Sequence, residues 1–291
     1  MTANPFAQAL DNWLARLHHS GRLRVWSVIV TIFGDAIVQR GGTVSAATLQ
    51  ELASRLGMEP GALRTAISRL VRDGWITRAK TGRNVSYQLT ANAAKEGLEA
   101  AGRIYFPDRS APDCGFSLAV LPQRDPELRD AAIAQMRKAG WSVIATNVLI
   151  APAQARLSAD PASLVALSEP GPVPGWVVQE LCLADIATAF GELRSEADRL
   201  AKVAAIGDLD PLDALAARIV LIHEWRRLVL RQPLATVAVL GKAWPGGECR
   251  AAVEGLYNAL IAASTGWLDS RKELSGFQGR SESERFGQRS G

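Results

Sequence analysis

At 291 residues, 48% of them apolar and 21% charged, the chain has enough apolar mass for two or three packed domains, and its composition excludes a disordered polyelectrolyte. Its formal net charge of +4 is unevenly spread, because residues 1–105 carry 13 Arg and Lys against 7 Asp and Glu, leaving 20 against 22 for the rest. Any surface for a polyanion is therefore expected in the first third.

Residues 1–20 begin with "NPFAQALDNWLARLHH", a short amphipathic piece read as an N-terminal arm, mobile or engaged in a dimer contact. Residues 22–39 are dense enough in apolar side chains for a core helix, which "RGG" at 40–42 ends. The apolar run within it, residues 25–33, is bounded by Arg24 and Asp35 and is too short to span a bilayer. No export signal precedes it, so a cytoplasmic protein without membrane contact is expected.

"SAATLQELASRLG" then reads as a helix with Ser45 as N-cap, Leu49, Leu52, Ala53 and Leu56 on one face, and Gly57 at a left-handed C-terminal cap. "MEPGALRTAISRLVRDG" reads as a second, opened by Pro60 and closed by Gly74. So tight a junction marks a helix-turn-helix. With Arg64 at zero and about 100° per residue, Ser68, Arg72, Thr65 and Arg69 fall within roughly 140°, while Ala66, Leu70, Leu63, Ile67 and Val71 occupy a separate arc. One face is built for burial; the other offers guanidiniums and hydroxyls to a major groove. Beyond Gly74, "WITRA" and "SYQLT" alternate like strands around "KTGRN", a hairpin wing whose Lys80, Arg83 and Asn84 suit phosphate or minor-groove contact. "NAAKEGLEAAGRIYFP" adds a helix closed by Pro107.

Further along, "CGFSLAVLP" reads as a strand, "QRDPELRDAAIAQMRKAGW" as a helix, "WSVIATNVLIAP" as one or two strands and "GWVVQELCL" as another strand. This order suggests a small α+β, ferredoxin-like domain. Residues 159–175, with four prolines, look like a loop. Residues 184–206 and 212–268 are helical in pattern, the latter interrupted at "RQPLATVAVLGKAWPGG", and the Gly- and Ser-rich tail from Ser270 reads as disordered. The fold class is thus α+β: an N-terminal winged helix-turn-helix, a ferredoxin-like middle domain and a mainly helical C-terminal domain. The boundaries are an arm at 1–21, then domains at 22–106, 107–183 and 184–269, and a tail at 270–291.

Catalytic signatures are scarce. Cys114, Cys182 and Cys249 are far apart and odd in number, which supplies neither a disulfide framework nor a C-x-x-C clip. "HEWRR" at 223–227 is not a zinc motif, because Arg227 stands where the second histidine would. No nucleophile elbow, P-loop or dinucleotide fingerprint occurs. No catalytic residue, metal or cofactor is expected.

At "LRVWSVIVTIFGDAIVQRGG", "LRTAISRLVRDGWI" and "GRIYFP", then "AGWSVIATNVLIAP", "LIHEWRRLVLRQPL", "WPG" and "LYNAL", the sequence resembles the PaaX family of phenylacetate-catabolism repressors over residues 20–268. That resemblance implies a homodimeric repressor with a winged helix on double-stranded operator DNA and a middle domain similar to small CRISPR-associated nucleases. It also implies release from DNA by an aryl-acyl-CoA such as phenylacetyl-CoA. His223, Arg226, Arg227 and Arg231 of the matching segment are the implied effector residues, the arginines facing its phosphates. Where the family pattern is Asp-Pro-x-Leu-Pro the chain has Gln232, Pro233, Leu234, Ala235 and Thr236, a departure that bears on the acyl group more than on DNA binding.

The expected DNA contacts are Arg64, Thr65, Ser68 and Arg69 on bases and Arg72, Lys80, Arg83 and Asn84 on the backbone. The rival from another class is an enzyme on the middle domain, a metal-dependent nuclease or a CoA-thioester hydrolase, for which Asp113 and Asp125 are the nearest carboxylates to the first middle strand. An activator with the same DNA contacts is a third reading.

Overall fold

The computed structural model describes residues 4–82, 84–105, 115–168, 173–182 and 184–274. It is a mixed α+β structure that separates into two compact units. The first gathers Met1–Tyr105, Leu193–Arg227 and Arg250–Gly291; the second gathers Phe106–Glu192 and Leu228–Cys249.

In the first unit, α1 (Pro5–His19) is opened by Asn4, whose Oδ1 accepts from the Phe6 amide at 2.9 Å, and its last turn carries Arg16, His18 and His19 against the negative helix end. The segment read as an arm is thus a helix that buries Phe6, Leu10, Trp13, Leu14 and Leu17. Arg16 pairs with Glu196 at 2.6 Å, and Asp11 with Arg55 at 2.8 Å.

The expected core helix over 22–39 is three pieces. α2 (Val25–Ile32) passes into a π-helical turn at Phe33–Ile37 and a 3-10 turn at Val38–Arg40. The extra residue of a π turn rotates the side chains beyond it about the helix axis. Here the turn holds the fully buried Asp35, whose Oδ1 accepts from Tyr105 Oη at 2.6 Å and Tyr257 Oη at 2.9 Å. Its Oδ2 accepts from Arg218 Nε at 2.7 Å.

β1 (Thr43–Ser45) leads into α3 (Ala46–Arg55), capped as expected by Ser45, whose Oγ accepts from the Thr48 amide at 3.1 Å. Gly57 at φ +72° turns the chain, and α4 (Pro60–Arg72) comes next. β2 (Ile76–Thr81) and β3 (Asn84–Leu89) pair antiparallel, and β1 joins the other side of β3, giving a three-stranded sheet ordered β1-β3-β2. The strands run further into the tip than the alternation suggested, leaving Gly82 (φ +62°) and Arg83 between the paired Thr81 and Asn84. The third strand was not anticipated, because three residues are too few to display a period. α5 (Ala91–Tyr105) completes this run of elements.

The second unit is built on a four-stranded antiparallel sheet of β4 (Phe116–Val120), β5 (Ser142–Ala145), β6 (Val148–Pro152) and β7 (Leu164–Ser168), ordered β5-β6-β4-β7. α6 (Pro126–Lys138) is capped by Asp125, whose Oδ1 accepts from the Glu127 amide at 2.9 Å. Ala119, Leu121, Met136, Trp141, Leu149 and Ala151 form the core between helix and sheet.

Two expectations are corrected here. β7 lies where the prolines indicated a loop, since Pro161, Pro170, Pro172 and Pro174 flank the strand without interrupting it. "GWVVQELCL" is not a strand but α7 (Gly175–Leu181), whose buried Val177 and Leu181 stand four residues apart, a helical spacing.

The remaining helices are α8 (Ala184–Ala204), α9 (Pro211–Arg231), α10 (Ala235–Leu240) and α11 (Gly246–Asp269). Of the residues read as a tail, 270–274 are described: Glu273 Oε1 accepts from Thr48 Oγ1 at 2.7 Å, and Leu274 is buried. Residues 275–291 lie outside the described residues. No helix among the described residues is long and apolar enough to cross a membrane.

Candidate nucleic-acid interface

α4 divides as its sequence requires. Leu63, Ala66, Ile67 and Leu70 are buried, while Arg64, Thr65, Ser68, Arg69 and Arg72 are exposed. Val71 differs from expectation: at the margin of the buried arc, it remains 37% exposed. Thr65 Oγ1 donates back to the Gly61 carbonyl at 3.0 Å, so its hydroxyl is already engaged along the helix. Arg64 makes no ion pair among the described residues. Arg72 Nε reaches Asp73 Oδ1 at 3.1 Å and Arg69 Nε reaches Oδ2 at 3.4 Å. The Arg72 bond, with Arg69 behind it, holds the Asp73 carboxyl below the usual carboxylate range. Pairs this exposed contribute little to stability, so both guanidiniums can turn to an outside anion at small cost.

The helix begins four residues after α3 ends at Arg55, with Leu56 to Glu59 between, and the tight turn is supported from behind by His18, whose Nε2 lies 2.9 Å from the Leu56 carbonyl. On the hairpin, Lys80 and Asn84 are exposed on β2 and β3, and Arg83 lies outside the described residues. Arg78, exposed opposite Tyr87 on β2, shares the Lys80 face of the strand and was missed. The period-2 alternation of "ITRAK" carries that signal.

The four residues implied as effector contacts divide differently. His223 is fully buried; its Nε2–H donates to the Arg22 carbonyl at 3.2 Å, and Nδ1 lies 3.3 Å from Thr31 Oγ1. Burial lowers its pKa to about 4, so the ring is neutral at physiological pH. Arg226 donates to Thr31 Oγ1 at 3.2 Å and Ser27 Oγ at 3.5 Å, and burial lowers its pKa as well. Arg227 is half-buried against the buried Glu224 at 2.9 Å. In the second unit, Arg231 reaches the exposed Asp185 at 3.6 Å.

Nothing in the second unit assembles a catalytic carboxylate pair from the residues weighed for one. Asp125 is spent on capping α6, and Asp113 lies outside the described residues. Among the described residues no group of three His, Cys, Asp or Glu side chains could hold a metal ion. Cys182 and Cys249 are buried; Cys114 lies outside the described residues.

Comparison with known proteins places these elements in a family. A family model described as PaaX-like protein matches residues 24–93, from α2 through the hairpin. A second, described as PaaX-like protein C-terminal domain, matches residues 182–270. The chain is similar to the transcriptional repressor PaaX of Escherichia coli (strain K12), at 25% identity over 91% of this chain and 90% of that one. Among solved structures it is similar to the uncharacterized protein Rv0674 from Mycobacterium tuberculosis, with 18% identity, a TM-score of 0.44 and coverage of 77% of this chain and 91% of that one. The two family models together match more than half of the sequence, and the chain belongs to the PaaX-like family.

Proposed function

We propose that this chain is a cytoplasmic transcriptional repressor that binds double-stranded operator DNA as a homodimer. The observation that carries the reading is α4: four apolar residues buried on one face, and Arg64, Ser68, Arg69 and Arg72 exposed on the other. The short link from α3, and a hairpin that presents Lys80 and Arg78, supply the parts of a winged helix-turn-helix within 22–106. Arg64, Thr65, Ser68 and Arg69 then face bases in the major groove, and Arg72, Lys80, Arg83 and Asn84 hold the backbone. The name of the Escherichia coli relative agrees with this reading.

The sheet order β5-β6-β4-β7, antiparallel throughout, supports a ferredoxin-like domain within 107–183. A 3-10 segment at Ala153–Ser158, rather than a second α-helix, stands between β6 and β7. Residues 184–269 take dimerisation and the sensing of an acyl-CoA, of which phenylacetyl-CoA is the leading case. Of the implied effector residues of the first unit, Arg227 is accessible, while His223 and Arg226 brace the backbone and side chains of α2 behind it. For release to follow, the ligand must bind the DNA-incompetent arrangement more tightly. The enzyme alternative gains no support from Asp125.

The test is binding of the full chain to DNA from upstream of its own coding region, by fluorescence anisotropy, with acyl-CoA thioesters and their free acids added in turn. Tight, salt-dependent binding reversed by a thioester supports the reading. Binding no tighter than to random duplex, for wild type and Arg69→Ala alike, sinks it.

A further inference from the structure

Where α1 gives way to α2, the surface is hollowed into a cleft of about 390 Å³, lined by Arg22, Arg24, Trp26, Ser27 and Arg227. That is the size of a small-molecule site. Its charge is one-sided. Glu224, buried beneath, pairs with both Arg22 and Arg227, and Arg24 is a third guanidinium in the lining. Arg24 is exposed and makes no ion pair among the described residues. It is also the N-cap residue of α2, which has no side-chain cap hydrogen bond, and the positive end of that helix adds to the charge. Trp26, on that first turn, is 39% exposed and lines the same hollow.

The walls are held in place from behind. The Arg22 carbonyl is fixed by His223, and the Ser27 hydroxyl is bonded by Arg226. Cations spread along a ridge suit a duplex backbone. Here they converge on a concavity that also exposes an indole, and this combination fits a compact anion attached to a flat ring.

We propose that this cleft binds an organic phosphate carrying a planar heteroaromatic ring, of the nucleotide class, with its phosphates on Arg24 and Arg227 and its ring against Trp26. Free nucleotides and the nucleotide half of a thioester carrier share that chemistry. The proposal deepens the effector reading given above, and its test separates the two.

The probes are ADP, pyrophosphate and adenosine, titrated calorimetrically into the full-length protein. ADP binds best, pyrophosphate more weakly and adenosine hardly at all. Arg24→Gln, an exposed change that disturbs no pairing, weakens ADP and pyrophosphate by about tenfold or more, as expected for a lost charge-assisted bond. Trp26→Leu weakens ADP by about tenfold and leaves pyrophosphate unchanged, because stacking touches only the ring. Circular dichroism checks that each variant is folded.

Absence of ADP and pyrophosphate binding at millimolar concentration, or equal binding by both variants, overturns the proposal. So does loss of DNA affinity and salt dependence in Arg24→Gln without nucleotide, which makes the cleft a DNA-backbone contact. If thioesters fail to release DNA while ADP binding keeps its Arg24 and Trp26 dependence, the cleft stands and the effector reading falls. If thioesters release DNA equally from wild type and both variants, and ADP binding does not depend on Arg24 or Trp26, the effector reading stands and the cleft falls.

Discussion

Replacing Asp35 by alanine removes the carboxylate on which three other segments of the first unit converge. Tyr105 from α5, Arg218 from α9 and Tyr257 from α11 all donate to it, and Asp35 and Arg218 are both fully buried. Arg218 NH2 also donates to the Asp35 carbonyl at 3.0 Å, and its guanidinium lies 5.2 Å from the Tyr257 ring centroid. The backbone bond, the Ser264 hydroxyl at 3.3 Å and the ring survive the substitution, but the carboxylate paired with the guanidinium is lost. Breaking a buried ion pair by removing one partner costs about 3–5 kcal/mol. That is a large part of the ~5–15 kcal/mol by which a domain is stable.

Urea unfolding of the full chain, monitored by tryptophan fluorescence, measures the loss as a lowered midpoint at unchanged slope. Arg218→Met gives a loss of similar size. Asp35→Ala combined with Arg218→Met costs less than the sum of the two singles, because removing both charges strands neither. A loss below about 1 kcal/mol for Asp35→Ala, or strict additivity in the double variant, refutes the argument that the pair is a buried electrostatic unit.

Arg69→Ala costs about 1–3 kcal/mol of operator affinity and narrows the gap between operator and random DNA, whereas Lys80→Ala weakens both alike and flattens the salt dependence, as anisotropy titrations across salt concentrations resolve. His223 has a folded pKa of about 4 against an ordinary value of 6.5, so its neutral form is the one that folding favours. Its contribution is complete above pH 6.5 and is lost as pH falls toward 4, amounting to about 2 kcal/mol between pH 7 and pH 5. Urea midpoints at the two pH values, compared with His223→Gln, isolate that term; equal pH dependence in both proteins counts against it. Gly57→Ala forces an L-residue to φ +72° and sets its Cβ 2.9 Å from His18 Nε2, which lowers stability by about 1–2 kcal/mol in thermal unfolding.

What could be read from the sequence was whatever is local in it. α3 and α4 announce themselves through Ser45, Gly57, Pro60 and the spacing of Leu49, Leu52, Leu63 and Leu70, because a cap and a 3.6-residue period lie within one short window. The division of α4 into apolar and cationic faces is legible for the same reason. β7 and α7 were misread where propensity and period disagree. "LVALS" sits among prolines that only flank it, and "WVVQEL" has strand-forming residues at helical spacing.

The buried chemistry needed partners that no window contains. Asp35 and Arg218 are 183 residues apart, and an acidic residue beside an apolar run reads from sequence as a boundary of that run. The π turn at Phe33–Ile37 reverses that reading by carrying the carboxylate inward, where its cost is met by Arg218 and two tyrosine hydroxyls. The cleft is hidden in the same way. Arg22, Arg24 and Trp26 look like a solvated approach to a helix until Arg227, some two hundred residues later, closes the other wall. "HEWRR" reads as a block in the sequence, yet its members part company because α9 points them in different directions. His223 goes to the core, Arg226 goes to the hydroxyls of α2, and Arg227 reaches the surface. A run of adjacent residues on a helix is therefore weak ground for one shared site, whereas three cations and an indole that two distant segments bring to one hollow are an arrangement that only folding can assemble.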